Sequence, residues 1–255
     1  MEGHVGPTGP QPAGRPRVTA AVLAGGVGVR MGAPGPKQLM RLAGRTIIEH
    51  SIAAFCAAPE VDEVVVLMVA DRITEVEQIV ASGGYTKVAR IAAGGTDRTG
   101  TSAAALRLLQ DRPGTDLVLL HDAVRPLVAP ATIAACVKAL GRFGAVGVAV
   151  PSSDTVVEAE FGPDGAEVIR HVPPRASLRR MQTPQGFRLD VIRSAYALAL
   201  ADPALVATDD CGVVLRYLPR EPVRLIAGEE SNIKVTHPGD VAVAESLLRE
   251  REGAS

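Results

Sequence analysis

The sequence predicts an α/β protein, a doubly wound, mostly parallel sheet with an inserted β-hairpin arm. Three observations carry this reading. Apolar runs alternate with helix-period patterns from residue 18 to residue 150, the rhythm of repeated strand–helix units. Residues 63–70, Glu-Val-Val-Val-Leu-Met-Val-Ala, form one continuous, largely β-branched run, as expected for a strand covered on both faces. Over 152–187 the rhythm breaks, and two extended stretches flank Gly162-Pro163-Asp164-Gly165, a hairpin signal.

Taken in order, residues 18–24 read as the first strand. Residues 46–58 read as a helix, because Ile47, Ile48, Ile52 and Phe55 fall on nearly one face. The strand over 63–70 is followed by a helix at 72–82, a short strand at 87–92 and a helix at 97–111. A second buried strand is expected at 116–121, a helix at 130–142, and a strand at 145–150 that stops at Pro151. The arm is read at about 152–178, with strands over 152–160 and 167–172, and Pro173-Pro174-Arg175 then leads to an extended piece at 178–183. Helices at 189–201 and 209–216, a strand at 223–227 and a helix at 240–251 complete the chain. A hairpin projecting from such a domain has edges to cover, and a second subunit is a common cover.

Composition bounds the function. The 255 residues are 47% hydrophobic and 22% charged, ordinary for a globular protein with a real core. Length alone allows one large domain or two small ones; the pattern predicts one, over 18–252. A net charge of −1 with no basic block argues against bulk nucleic-acid binding. With 3% aromatics and no Trp, a base-stacking platform is also disfavoured. Cys56, Cys136 and Cys211 are scattered, so neither a zinc knuckle nor a disulfide framework is indicated. All three read as packed core thiols, although Cys211, after Asp209 and Asp210, is also placed to line a site. No apolar run approaches the length of a membrane span. Residues 1–17, rich in Gly and Pro, read as a disordered leader rather than a signal peptide. A reducing cytoplasm is the expected location.

The chemistry concentrates in a few segments. Residues 22–37 run from an apolar strand into a glycine turn containing Gly25, Gly26 and Gly28, then Arg30, and Lys37 behind Pro36. Glycines let backbone N–H groups approach an anion, and the two cations suit charge that grows during reaction. The Gly28 to Gly32 spacing does not match the dinucleotide fingerprint, and Pro34 and Pro36 exclude the helix that should follow it. No Gly-Lys-Ser/Thr of a Walker loop is present. In Gly94-Gly95-Thr96-Asp97-Arg98-Thr99-Gly100-Thr101-Ser102, the Gly95 backbone and the Thr101 hydroxyl are candidates to meet a base or triphosphate, while Thr96 or Asp97 equally suits a helix N-cap. Asp122, just past a buried strand, is suited to hold Mg²⁺, with an Asp122–Arg125 ion pair as the alternative. It should share a rim with the glycine turn, because ligands of doubly wound sheets bind beyond the strands' carboxyl ends. His121 reads as structural. Thr208-Asp209-Asp210 is either a cap or a second acidic site. Lys234, in Ser231-Asn232-Ile233-Lys234-Val235-Thr236, is either an anion contact or a surface lysine. Without Gly-x-Ser-x-Gly or His-Glu-x-x-His, esterase and common metalloprotease readings lack support.

Together these segments resemble one family, the 2-C-methyl-D-erythritol 4-phosphate cytidylyltransferases. The matching pieces are Ala24 to Gly32 with Pro36-Lys37-Gln38; Gly94-Gly95; His121-Asp122-Ala123-Val124-Arg125-Pro126; Asp154-Thr155; Thr183-Pro184-Gln185; Thr208-Asp209-Asp210; and Asn232-Ile233-Lys234-Val235-Thr236. The resemblance implies a Rossmann-like fold, CTP and a polyol phosphate as substrates, Mg²⁺ as cofactor, and a homodimer whose arms reach into each other's sites. By position it implies Arg30 and Lys37 as transition-state cations. It makes Asp122 the metal ligand, and Arg175 and Lys234 the residues that place the attacking phosphate. Thr155 and Thr183 would join these two and Asp122 around the polyol phosphate. Ala24, Gly25, Gly26, Gly28, Gly95, Thr101, Ala123 and Arg125 would contact the nucleotide. Val29, Thr96 and Thr101 depart from the family pattern, where a second basic residue, an acidic residue and serine are usual. A fused downstream cyclase domain is not expected in 255 residues. The same loop and metal would serve a ribitol phosphate enzyme. A molybdopterin nucleotidyltransferase fits less well because of the arm. A non-catalytic nucleotide-binding regulator would keep the glycines but has no need of both Arg30 and Lys37.

Overall fold

The structure, a computed structural model, describes residues 14–26 and 35–253. Gly28, Arg30 and all but residues 14–17 of the expected leader lie outside the described residues. The chain enters through Arg15 and Arg17, which pair with Asp62 and Glu63. It then forms β1 (Val18–Ala24), buried at every position. A 3-10 turn at Lys37–Leu39 and a small hairpin of β2 (Arg41–Leu42) and β3 (Arg45–Thr46) follow. The hairpin turns at Ala43 and Gly44, with φ of 45° and 85°, the left-handed conformation that two-residue turns need. Helix α1 (Ile47–Ala57) starts on a capping box between Thr46 and Glu49. Next come β4 (Glu63–Met68), α2 (Ile73–Gly83), β5 (Val88–Ala93), α3 (Arg98–Leu108) and β6 (Leu117–Asp122). Then α4 (Pro130–Leu140) and β7 (Ala145–Pro151) lead to the arm strands β8 (Glu158–Phe161) and β9 (Glu167–His171). The chain ends with β10 (Arg179–Arg188), α5 (Leu189–Ala199), α6 (Asp210–Tyr217), β11 (Val223–Ala227) and α7 (Pro238–Gly253).

Seven strands make one sheet in the order β11-β7-β10-β6-β1-β4-β5. All pairings are parallel except those of β10, which runs antiparallel to both neighbours. Alternate residues of β1 feed two cores. Val18, Ala20 and Val22 pack with Ile52 and Phe55 of α1 and Ile133 of α4, while Ala21 and Leu23 pack with Leu106 of α3 and Ile192 of α5. Helices therefore cover both faces, as the continuous apolar strands require. From β1 the sheet grows through β4 and β5 on one side and through β6 on the other. The strand order thus reverses between β1 and β6, and the crevice at that switch point is where such sheets bind ligands.

Two elements differ from the sequence reading. The extended piece expected at 178–183 continues to Arg188 as a central strand, although it contains Pro184. A proline lacks a ladder donor, and the strand accommodates it with a pairing irregularity between Gln182 and Gln185. The first arm strand, expected over 152–160, runs only over Glu158–Phe161, and with β9 it makes the expected hairpin, a separate two-stranded sheet exposed at every residue.

Candidate active site

The crevice between β1 and β6 gathers charge from four elements. Asp122 ends β6 and is only 7% exposed. Its Oδ1 accepts from Arg98 Nε at 2.9 Å and its Oδ2 from Lys234 Nζ at 2.7 Å. Arg98 opens α3 and also reaches Asp210 Oδ2 at 2.7 Å with its Nη1. Asp210 opens α6, is fully buried, and accepts from the Tyr196 hydroxyl at 2.6 Å. The result is a chain of alternating charge, Lys234, Asp122, Arg98, Asp210, closed by a phenol. Burial alone would raise the Asp122 carboxyl, but Arg98 and Lys234 overcome it and hold the group well below the ordinary carboxylate range. Burial, reinforced by the Asp210 carboxylate, pushes the Tyr196 phenol up.

The irregularity in β10 builds one wall. The Asp122 N–H donates to Thr183 Oγ1 at 3.1 Å, and that oxygen lies 3.0 Å from His121 Nδ1. His121 Nε2 is 3.0 Å from the Arg125 carbonyl, which can only accept, so Nε2 carries the proton and Nδ1 accepts from Thr183. Burial pushes the His121 imidazole down to about 4, against the pull of Asp122. With both nitrogens engaged and Phe55 edge-on at 4.9 Å, His121 is structural, as its surroundings in the sequence suggested. Asn232 Nδ2 donates to the Thr183 carbonyl at 2.9 Å, tying the strand to the Lys234 segment.

Gly25 and Gly95 interlock with their neighbours rather than stand open. A Cβ on Gly25 would overlap Thr101 Oγ1, and one on Gly95 would overlap the Gly100 backbone. Gly26 has open space where a Cβ would be. Thr101 is buried, accepts from the Gly95 N–H at 3.1 Å and donates to the Asp97 carbonyl at 2.7 Å. Asp97 caps α3 through the Gly100 N–H, and Asp209 caps α6 through the Gly212 N–H.

The structure thus brings together Ala24, Gly25, Gly26, Gly95, Thr101, Asp122, Ala123, Thr183 and Lys234 around one switch point. Ala123 is joined to β1 by its N–H, which donates to the Leu23 carbonyl at 3.0 Å. Lys37 sits on the 3-10 turn that Gln38 bonds to Ala24 and Gly26. The supposed Asp122–Arg125 ion pair is replaced by Arg98 and Lys234. Arg125 instead donates to the carbonyls of Asn232 and Met181 at 2.7 and 3.2 Å, so its guanidinium clamps backbone. Thr155 and Arg175 lie exposed on the arm, where Arg175 bonds the Ser153 carbonyl at 3.3 Å. Arg98 was missed as a site residue because its motif read equally well as a cap. All three cysteines are free thiols, and burial raises Cys56 to about 11 and Cys136 to about 12, which makes them poor nucleophiles.

A mostly parallel sheet with a glycine turn, paired cations and a rim carboxylate at its switch point defines an α/β enzyme that handles phosphorylated nucleotides. Comparison with known proteins is more specific. The family model for 2-C-methyl-D-erythritol 4-phosphate cytidylyltransferase matches residues 18–250. A Thermobifida fusca protein of that name is 67% identical over 235 residues, 92% of this chain and 94% of its own length. A Haemophilus influenzae bifunctional ribulose 5-phosphate reductase/CDP-ribitol pyrophosphorylase is 39% identical over 230 residues, 90% of this chain and 48% of its own. The crystal structure of 4-diphosphocytidyl-2C-methyl-D-erythritol synthase from Anaerococcus prevotii aligns with a TM-score of 0.78 at 26% identity, covering 92% of this chain and 99% of that one. The chain belongs to the 2-C-methyl-D-erythritol 4-phosphate cytidylyltransferase family.

Proposed function

We propose that this enzyme transfers CMP from CTP to 2-C-methyl-D-erythritol 4-phosphate, releasing pyrophosphate and 4-diphosphocytidyl-2-C-methyl-D-erythritol. Beyond family membership, one observation carries the reading. The glycine turn, the Lys37 turn and the Lys234–Asp122–Arg98 cluster converge on a single switch point. An oxygen of the phosphate monoester attacks the α-phosphorus of CTP. A new P–O bond forms, the bond from that phosphorus to the bridging oxygen breaks, and pyrophosphate leaves with the electron pair. The nucleophile's second pKa is near ~6, so it is largely dianionic at neutral pH and needs no general base. A buried, fully bonded His121 agrees with that.

What the protein must overcome is repulsion between anions and charge growing on the α-phosphoryl oxygens. We assign that task to Lys37 and Arg30. Lys234 leaves Asp122 to hold the attacking phosphate, with Arg175 and Thr155 of a partner's arm and Thr183 beside it. We assign nucleotide contact to Ala24, Gly25, Gly26, Gly28, Gly95 and Ala123, while Thr101 and Arg125 shape the walls by binding backbone. Among the described residues no cluster of three or more His, Cys, Asp or Glu side chains could hold a metal. One carboxylate beside substrate phosphates is nevertheless how Mg²⁺ commonly binds, so Asp122 fits an ion that arrives with the triphosphate. Bound there, Mg²⁺ would neutralise phosphate charge.

The arm supports a homodimer. An isolated two-stranded hairpin is marginal in water, and this one exposes Phe161 at 77% and Ile169 at 65%. Three free cysteines support a cytoplasmic location, and no helix among the described residues is long and apolar enough to cross a membrane. A second reading, ribitol 5-phosphate as acceptor, is favoured by the CDP-ribitol pyrophosphorylase relative. Pyrophosphate release over a matrix of four nucleoside triphosphates and several polyol phosphates separates the two. The first requires CTP with methylerythritol phosphate to be fastest; a preference for ribitol phosphate establishes the second.

A further inference from the structure

Gln38 is one of the most enclosed polar side chains beside the crevice, only 2% exposed. Its Nε2 donates to two carbonyls of the glycine turn, those of Ala24 and Gly26, the latter at 3.0 Å. Its Oε1 is buried and has no partner among the described residues. The amide orientation is therefore fixed by its donors, since turning Oε1 toward two carbonyl oxygens would set acceptor against acceptors. Among the described residues the amide is thus engaged through its donors alone.

Two geometric consequences follow. In a trans peptide the carbonyl and the next N–H point in opposite directions. A carbonyl of Ala24 drawn toward Gln38 therefore turns the Gly25 N–H the other way. Gln38 also neighbours Lys37 in the same 3-10 turn, whose other end is fixed by Leu39 packing against the core and by the Met40 N–H donating to the Lys37 carbonyl at 3.1 Å. The side chain thus couples two parts of the site that the backbone joins only through the intervening segment 27–34. One part is the amide face of the turn and the other is the backbone that carries Lys37.

We propose that Gln38 is a positioning residue for the transfer reaction, holding the end of β1 and the Lys37 turn in one register so that turn amides and the lysine address the same phosphate. The inference rests on the reading of Lys37 as a charge-stabilising cation. Displacement of a reacting group by about 1 Å costs on the order of 10²-fold in rate, so the coupling has a measurable size.

The test uses the full chain. Gln38→Met keeps length and removes both donors. Its kcat/KM for CTP should fall by about tenfold or more, with the KM for the polyol phosphate changed less than about twofold. In a Lys37→Ala background the same substitution should cost less than about threefold further, because the group it positions is gone. Additive losses, or an unchanged kcat/KM for CTP in Gln38→Met, overturn the inference. Gln38→Glu gives an independent readout. Buried against carbonyls, its carboxyl should have a raised pKa; protonated, it regains a donor. Its activity relative to the parent enzyme should then rise as pH falls from about 8 to about 6, and a constant or falling ratio counts against the proposal. If Gln38→Met does not fold, this pH profile decides. Near-normal turnover in Lys37→Ala alone would instead overturn the underlying reading, independently of Gln38.

Discussion

Asp122 is held by two cations and Lys234 by one anion, so the described Lys234–Asp122–Arg98–Asp210 cluster is balanced before substrate arrives. Such balance offsets the cost of burying charge, and Lys37 sits on a separate 3-10 turn. We expect Lys37→Ala to lower kcat by ~10²–10³-fold, the usual cost of one preorganised donor, with little change in the thermal unfolding midpoint. Steady-state kinetics beside circular dichroism checks both halves of that statement. His121 makes a prediction of a different kind. Burial lowers its imidazole from 6.5 to about 4, so between those values the unfolded chain binds a proton that the folded chain does not. Stability then rises with pH across the window and is lost as pH falls from about 6.5 toward about 4. Urea unfolding at about pH 7.5 and about pH 5 should show the loss, and the slope should be shallower in His121→Gln. A chain whose stability is flat across that window would contradict the assignment of His121 as buried and neutral.

At the scale of elements, the arm and β10 matter most. The arm carries Arg175 on an exposed 3-10 turn at Arg175–Ser177, far in sequence from the glycine turn. Arg175→Ala should therefore raise the KM for the polyol phosphate by about 10–10²-fold, the usual cost of one charge-assisted contact, while the KM for CTP stays close to normal; equal losses for both substrates would contradict the assignment. The arm was legible because Gly162-Pro163-Asp164-Gly165 has a specific turn chemistry, and Gly165 does adopt a positive φ of 78°. The parallel strands were legible because a strand covered on both faces must be apolar throughout. By contrast, β10 was only half legible. Pro184 lacks a ladder donor, yet tertiary context supplies what the ladder lacks: Thr183 Oγ1 accepts from the Asp122 N–H and Asn232 donates to the Thr183 carbonyl. That irregularity places Thr183 in the site, so the local rule failed where the site is built. Arg98 was hidden for a similar reason. One sequence pattern serves both a cap, through Asp97, and a charge bridge, through Arg98, and only the spatial approach of Asp122 and Asp210 separates them.

For the whole molecule, the remaining issue is whether one chain holds a complete site. Among the described residues, Thr155 and Arg175 make no hydrogen bond to the Asp122 cluster, while the arm's apolar residues Phe161, Val168, Ile169 and Val172 are exposed. The proposed homodimer would account for both: two chains related by a twofold axis, each inserting its arm at the other's crevice. This leads to a complementation experiment. In that homodimer Lys37→Ala would disable the crevice of its own chain, whereas Arg175→Ala, assayed with polyol phosphate well below its raised KM, would disable the crevice of the partner. In a mixed dimer of the two variants, one crevice has both defects. The other pairs an intact Lys37 with an intact Arg175 and is whole. Random reassortment makes about half of the dimers mixed, each with one working site of two, so activity should recover to roughly a quarter of the parent rate. Either variant alone should stay near its own low level. Subunit exchange under mild urea followed by pyrophosphate assay measures this directly. If the arm served its own chain, each mixed dimer would contain one crivice lacking Lys37 and one lacking Arg175, and mixing would yield only the average of the two variants.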